Sequence, residues 1–127
     1  MKKSITLIGA GWLGTHFLNK YHTLFSHIVT TSRSSKAHKN SSDHFLMDIY
    51  TPPNPALPQT DICLITLPFS RQLTDPWAYP NGIKKLCQHL PKYKKVIFTS
   101  STSIYAKKND FVDESSPIEK TQRAKAL

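Results

Sequence analysis

Residues 5–14 read Ile5-Thr6-Leu7-Ile8-Gly9-Ala10-Gly11-Trp12-Leu13-Gly14. An apolar, partly β-branched run enters Gly-x-Gly-x-x-Gly, and apolar residues at helical spacing come next. This is the order of a strand, a tight turn and a helix. In such a turn Gly9 lets the chain leave the strand sharply, Gly11 presents bare backbone, and Gly14 lets the helix pack close to the sheet. A pyrophosphate lying against Gly11 would meet the free N–H groups and the positive dipole end of the adjoining helix. Three glycines at this spacing also occur in ordinary strand–turn–helix corners, so the end of the second strand must decide between the two readings.

On either side of this turn the pattern alternates apolar strands with helices or loops. The first strand is expected over residues 4–8, nearly all apolar as suits a parallel strand covered on both faces. The first helix is expected over 11–22, with Leu13, Phe17, Leu18 and Tyr21 as its buried stripe. A second strand covers 26–31 and a third 43–50. Four prolines stand in residues 51–58, where missing donors and ring clashes exclude a helix. The fourth strand spans 61–67 and ends at Leu67-Pro68. After an irregular segment with Trp77 and Tyr79, Asn81 is expected to cap a helix whose apolar face is Ile83, Leu86, Cys87 and Leu90. The fifth strand covers 94–99 and is expected to be a buried parallel strand, and a further helix starts near Thr121. The expected fold class is α/β, a doubly wound parallel sheet of the Rossmann type forming one domain over residues 1–127.

The end of the second strand also distinguishes the coenzymes. An NAD site places a carboxylate there for the ribose hydroxyls. The residues are instead Thr31-Ser32-Arg33-Ser34-Ser35-Lys36, about twenty residues beyond the last motif glycine, the expected distance. A guanidinium at Arg33, assisted by Ser32, Ser34 and Lys36, suits a 2′-phosphate. The expected cofactor is therefore NADP, with NAD as the alternative.

Composition narrows the function further. The chain has 127 residues and a formal charge of +9. Its lysines are dispersed in pairs without interleaved aromatics, which is a solvated basic surface rather than a nucleic-acid platform. No apolar run reaches the roughly 18–20 residues that span a bilayer, and no secretory signal is visible, so the expected location is cytoplasmic. Cys63 and Cys87 are expected to be buried free thiols. The histidines show no metal-ligand spacing, so no metal is expected. His16 and His22 read as helix-surface or capping residues. The expected partner is a small-molecule substrate of unknown identity, with a homodimer as the one assembly considered; nucleic acid and membrane are not expected.

Three segments together resemble a known family. They are Gly9 to Gly14, the run Asp61-Ile62-Cys63-Leu64-Ile65-Thr66-Leu67-Pro68, and Val96-Ile97-Phe98-Thr99-Ser100-Ser101-Thr102-Ser103-Ile104-Tyr105. They resemble the extended short-chain dehydrogenase/reductase superfamily, nearest its atypical NAD(P)-dependent epimerase/dehydratase-like members, over essentially the whole chain. The resemblance implies that Ser101 takes the catalytic Ser/Thr position and hydrogen-bonds the substrate oxygen as hydride moves. It implies that Asp48 and Ile49 touch the adenine, and that Trp12, Leu13, Leu67 and Pro68 join the glycines around the coenzyme. Tyr105 matches the motif tyrosine that is not the proton donor.

The sequence departs from the family at three points. Ile8 stands where the first glycine of Gly-x-x-Gly-x-x-Gly is usual. Thr121 and Lys125 fall on the Tyr-x-x-x-Lys positions, and a threonine hydroxyl is a poor proton relay at neutral pH. The C-terminal substrate domain is not encoded up to Leu127. Two functions are therefore expected as alternatives. One is the cofactor half of an NADP-dependent oxidoreductase or epimerase, with Ser101 and Lys125 as its catalytic candidates. The other is a non-catalytic NADP(H)-binding sensor. A β-hydroxyacid-dehydrogenase-type domain shares the glycine motif, the basic end of the second strand and the Leu-Pro exit, but the 100–105 run weighs against it.

Overall fold

A computed structural model describes residues 1–70, 72–101, 104–106 and 111–127. The elements follow the order β1 (Lys3–Ile8), α1 (Trp12–Tyr21), a 3-10 turn (His22–Leu24), β2 (Phe25–Ser32), β3 (Asp43–Leu46), β4 (Ile62–Ile65), α2 (Ala78–His89), β5 (Lys95–Phe98) and α3 (Gln122–Ala126). The protein is α/β, with one five-stranded sheet in which every pairing is parallel.

The strand order is β3-β2-β1-β4-β5. The chain steps outward from β1 to β2 and β3, then returns to the other side of β1 for β4 and β5. Ile8, at the end of β1, stands opposite Thr31 on one side and Ile65 on the other. The carboxyl ends of three strands thus surround the glycine turn, and the crossover direction reverses there.

Strand pleating divides the apolar residues into two clusters. Ile5 and Leu7 join Ile28, Leu64 and Leu18 of α1. Ile8, out of step with them by the period of two, joins Cys63, Ile65, Met47, Ile49 and Tyr79 and Leu86 of α2. The α1 stripe is narrower than the sequence suggests. Gly14 and Leu18 are its buried residues, whereas Leu13 and Tyr21 are exposed. His16 and His22 each bond through Nδ1 to a carbonyl four residues back, Trp12 and Leu18 respectively; His16 is exposed on the helix and His22 is the half-buried C-cap of α1.

Three further expectations are corrected. The second helix begins at Ala78, not at Asn81, which lies inside it. Asp75 accepts the Trp77 N–H through Oδ1 at 2.9 Å, and Pro80 fits in the first turn because no intrahelical acceptor is lost there. Cys87 is exposed, while Cys63 is buried, and both are free. Burial, with Cys87 as a lesser influence, pushes the Cys63 thiol up to about 12. The fifth strand is an exposed edge rather than a buried strand: Val96, Ile97 and Phe98 all show substantial surface.

At the amino edge of the sheet, polar groups close on one another. Asp61 Oδ2 accepts from the Ser4 N–H and hydroxyl at 2.8 and 2.9 Å, and its Oδ1 accepts from Lys94 Nζ at 2.7 Å. These bonds join the starts of β1, β4 and β5, and hold the Asp61 carboxyl far below the usual carboxylate range, Lys94 first and Ser4 next. Among the described residues no helix is long and apolar enough to cross a membrane.

Candidate functional site

The glycine turn is built by its neighbours. Gly9 adopts φ +97°, a conformation costly for any residue with a Cβ. Its N–H donates to Thr31 Oγ1 at 3.1 Å, and its carbonyl accepts from Thr66 Oγ1 at 2.6 Å. Ala10 N–H donates to the Thr31 carbonyl at 2.7 Å. Both threonines are buried at the ends of their strands, so β2 and β4 each fix one side of the turn.

The three glycines serve different ends. A Cβ on Gly14 would lie 2.7 Å from the Gly9 carbonyl oxygen, so Gly14 is required for α1 to close on the turn. A Cβ on Gly9 would meet Leu67 and Thr66 at 3.1–3.2 Å. A Cβ on Gly11 would meet nothing within 4 Å. Packing therefore demands glycine at the first and third positions and not at the second. Gly11 is also the N-cap of α1, with no capping side-chain bond and no acidic residue in the first turn. The N–H groups of Trp12, Leu13 and Gly14 precede the first intrahelical bond, from Thr15 N–H to the Gly11 carbonyl, and so have no acceptor within the helix.

Two cavities meet at Gly11. The first, about 420 Å³, brings together Gly9, Gly11, Ser32, Arg33, Ser34, Lys36, Asp48, Ile49, Leu67 and Pro68 from the sequence reading, with Tyr50. The second, about 460 Å³, lies across the turn and carries Gly11, Trp12, Leu13, Leu67, Pro68 and Ser101, with Thr66, Tyr79 and Arg123. Gly11, Leu67 and Pro68 belong to both. Gly14 lines neither, because it is packed beneath the turn.

The cation-bearing wall of the first cavity is a loop stiffened by its own hydroxyls. Ser32 Oγ donates to the Ser34 carbonyl at 2.8 Å and accepts the Ser34 N–H at 3.2 Å, and His44 Nε2 meets the same carbonyl at 2.8 Å. Arg33 and Lys36 are exposed on that loop. On the opposite wall Asp48 Oδ1 accepts the Tyr50 N–H at 3.0 Å, while Ile49 packs against Gly82 of α2. Burial raises the Tyr50 phenol above its ordinary value, against weaker opposing pulls from the Ser70 backbone and the Arg33 guanidinium.

In the second cavity the catalytic candidates separate. Ser101 is on the wall. Lys125 is exposed on α3 and does not line the cavity; the α3 side chain that does is Arg123. Thr121 is the N-cap of α3, its Oγ1 accepting the Ala124 N–H at 3.1 Å, so helix capping engages that hydroxyl. The chain reaches this place by a short antiparallel return, with Ala106 N–H donating to the Pro117 carbonyl and Glu119 N–H to the Ile104 carbonyl. Thr102 and Ser103, within the hydroxyl-rich run, lie outside the described residues.

Thr31, Thr66, Tyr50 and Arg123 were not singled out by sequence. A lone threonine closing an otherwise apolar strand is a usable signal for Thr66; Thr31, the second of a Thr30-Thr31 pair in a strand that also holds Ser26, His27 and Ser32, carries no such mark. Nothing local marks Arg123, whose position depends on the return of residues 117–119. Among the described residues no cluster of three or more His, Cys, Asp or Glu side chains is placed to hold a metal.

Comparison with models of known protein families gives no match, and comparison with curated proteins gives none.

Proposed function

We propose that the protein is an NADP(H)-binding domain of doubly wound, Rossmann type, and that it serves an oxidoreductase or epimerase of the atypical short-chain dehydrogenase kind. The carrying observation is Gly11: the one motif glycine that the protein's own packing does not require stands at the junction of two cavities, before uncapped helix N–H groups. A residue without Cβ is needed there if a ligand, rather than the protein, fills the space. The strand order 3-2-1-4-5 supports the same reading, since open parallel sheets bind ligands where the crossover direction reverses.

In this reading the N–H groups at Gly11, Trp12 and Leu13 hold the diphosphate. Asp48 and Ile49 border the adenine end, and Arg33 with Lys36 favours a 2′-phosphate over a bare ribose. The second cavity takes the nicotinamide and substrate, with Ser101 holding the substrate oxygen. NADPH, when bound, supplies the hydride. The proposed coenzyme is NADP, with NAD weaker, and the substrate is a carbonyl, alcohol or nucleotide sugar.

A second reading, a non-catalytic NADP(H) sensor, draws on one observation. Thr121 is engaged as a helix cap and Lys125 stands off the cavity wall, so the described residues supply no Tyr–Lys proton relay.

The test is paired: NADPH is titrated by its fluorescence, then oxidation is followed against aldehydes, ketones and nucleotide sugars. Saturable binding with turnover supports the enzyme, saturable binding without turnover supports the sensor, and absence of binding refutes both.

A further inference from the structure

We propose that the second cavity captures its substrate by an anionic group, a carboxylate or phosphate, through the guanidinium of Arg123. This deepens the NADP(H)-dependent reading and rests on it, because the anion is taken to belong to the molecule that faces the coenzyme.

One buried group in this cavity is unsatisfied. Arg123 Nε is buried and has no hydrogen-bond partner. Leaving a buried charged donor without an acceptor is destabilising, and such groups call for a specific reason. The guanidinium is not merely stray surface charge. Its Cζ lies 4.9 Å from the centre of the Phe69 ring, Phe69 meets Tyr79 edge-on at 5.3 Å, and the Tyr79 hydroxyl donates to the Leu67 carbonyl at 2.9 Å. That chain of contacts fixes the place of the guanidinium. A guanidinium set over an aromatic ring keeps N–H groups for in-plane acceptors, the geometry that grips carboxylate and phosphate oxygens.

Among the described residues no Asp or Glu side chain lines the cavity and none forms an ion pair with Arg123. Leu127, which carries the terminal carboxylate, is on the same wall, and no ion pair joins it to Arg123. Two of its hydroxyls are already committed, Thr66 to the Gly9 carbonyl and Thr99 to the Ile65 carbonyl. The remaining wall is largely aromatic and aliphatic, including Trp12 and Phe98. The N-terminus of α1, at Gly11 and Trp12 on the same cavity's wall, adds positive potential. A small organic anion fits this chemistry: its charge on Arg123, its carbon body against the aromatic wall.

The experiment observes Arg123 directly. The chain has three arginines, Arg33, Arg71 and Arg123, so its ¹⁵N-labelled Nε–H spectrum is simple, and Arg123→Lys removes and thereby assigns one signal. Malonate, inorganic phosphate and the neutral isostere malonamide are titrated separately, with and without saturating NADPH. The expected result is a saturable shift of the Arg123 signal with malonate or phosphate, none with malonamide, and persistence of the shift with NADPH bound. The anion that binds tighter distinguishes a carboxylate from a phosphate substrate. Arg123→Met, which keeps apolar contact with Phe69, raises the malonate Kd about tenfold or more and leaves NADPH affinity unchanged. No saturable shift with either anion, or an equal shift with malonamide, overturns the proposal. Displacement of malonate by NADPH also overturns it, by giving Arg123 to the coenzyme. Failure of NADPH to bind while malonate still shifts Arg123 refutes the dinucleotide reading and supports the anion site.

Discussion

The two edges of the sheet handle polar groups in opposite ways. At the amino edge, Asp61 accepts from Ser4 and Lys94, and the hydroxyls of Thr6 and Thr60 meet at 2.9 Å. These donors find their acceptors within the protein. At the carboxyl edge, Gly11 faces open space, the first N–H groups of α1 have no capping side chain, and Arg123 Nε is buried without a partner. A self-satisfied polar cluster stabilises the fold. Polar groups held rigidly but left unanswered are positioned for something that is not part of the chain. Unpartnered buried groups are not confined to the carboxyl edge, since the Tyr93 hydroxyl is one as well; what sets that edge apart is that such a group stands in a cavity beside the uncapped helix.

The largest expected effect breaks the carboxyl edge from within. Gly14→Ala places a methyl 2.7 Å from the Gly9 carbonyl, and overpacking of this kind costs about 3 kcal/mol. Gly11→Ala, three residues earlier, adds the same methyl where nothing lies within 4 Å. Its melting temperature is expected to stay near that of the wild type, while NADPH affinity falls about tenfold or more. Thermal melts and NADPH titrations of the two variants check the pair. Equal destabilisation would erase the distinction between a packing glycine and a ligand-facing one.

Next in size is the charge at the end of β2. Arg33→Glu is expected to weaken NADPH about tenfold more than NADH, because only NADPH brings a phosphate to the new carboxylate. Fluorescence titration of both coenzymes decides it, and equal losses would remove Arg33 from the site.

The amino edge responds to acid instead of ligand. The folded Asp61 has a depressed pKa, so its contribution is complete above the unfolded aspartate value. It declines as pH falls below about 4 toward the folded value. Asp61→Asn is expected to flatten the stability–pH curve in that range and to leave NADPH binding unchanged. Denaturant melts from neutral pH downward test the sign. A curve as steep in the variant as in the wild type would contradict it.

The smallest effect concerns the two thiols. Cys87, exposed, is expected to react with a thiol reagent in the native protein. Cys63, buried and with its thiol pushed up to about 12, is expected to react only on unfolding. Counting modified thiols before and after denaturant addition checks this.

Much of the sheet was legible in the sequence because its strands are short apolar runs separated by glycine, proline or polar stretches. The turn at Gly9 and the basic loop at Arg33 were legible because each depends on local chemistry. What escaped depends on distance along the chain. Cys87 and Leu13 sit at helical spacing with apolar neighbours, yet both are exposed, since periodicity gives a face and not the width of its cover. The fifth strand reads as buried because Val96, Ile97 and Phe98 are apolar, but it lies at the sheet edge. Arg123 reaches the second cavity through the pairing of residues 104–106 with 117–119, which no local pattern encodes. Lys125, implied by the resemblance, is exposed on α3 and does not line that cavity.

The most direct test of the central claim is a crystal structure of the protein grown with NADPH. The account predicts the diphosphate oxygens hydrogen-bonded to main-chain N–H groups among Gly11, Trp12 and Leu13, with the 2′-phosphate beside Arg33. Density for NADPH elsewhere, or a corner at Gly11 that stays empty or is filled by the Trp12 indole at saturating NADPH, would contradict it.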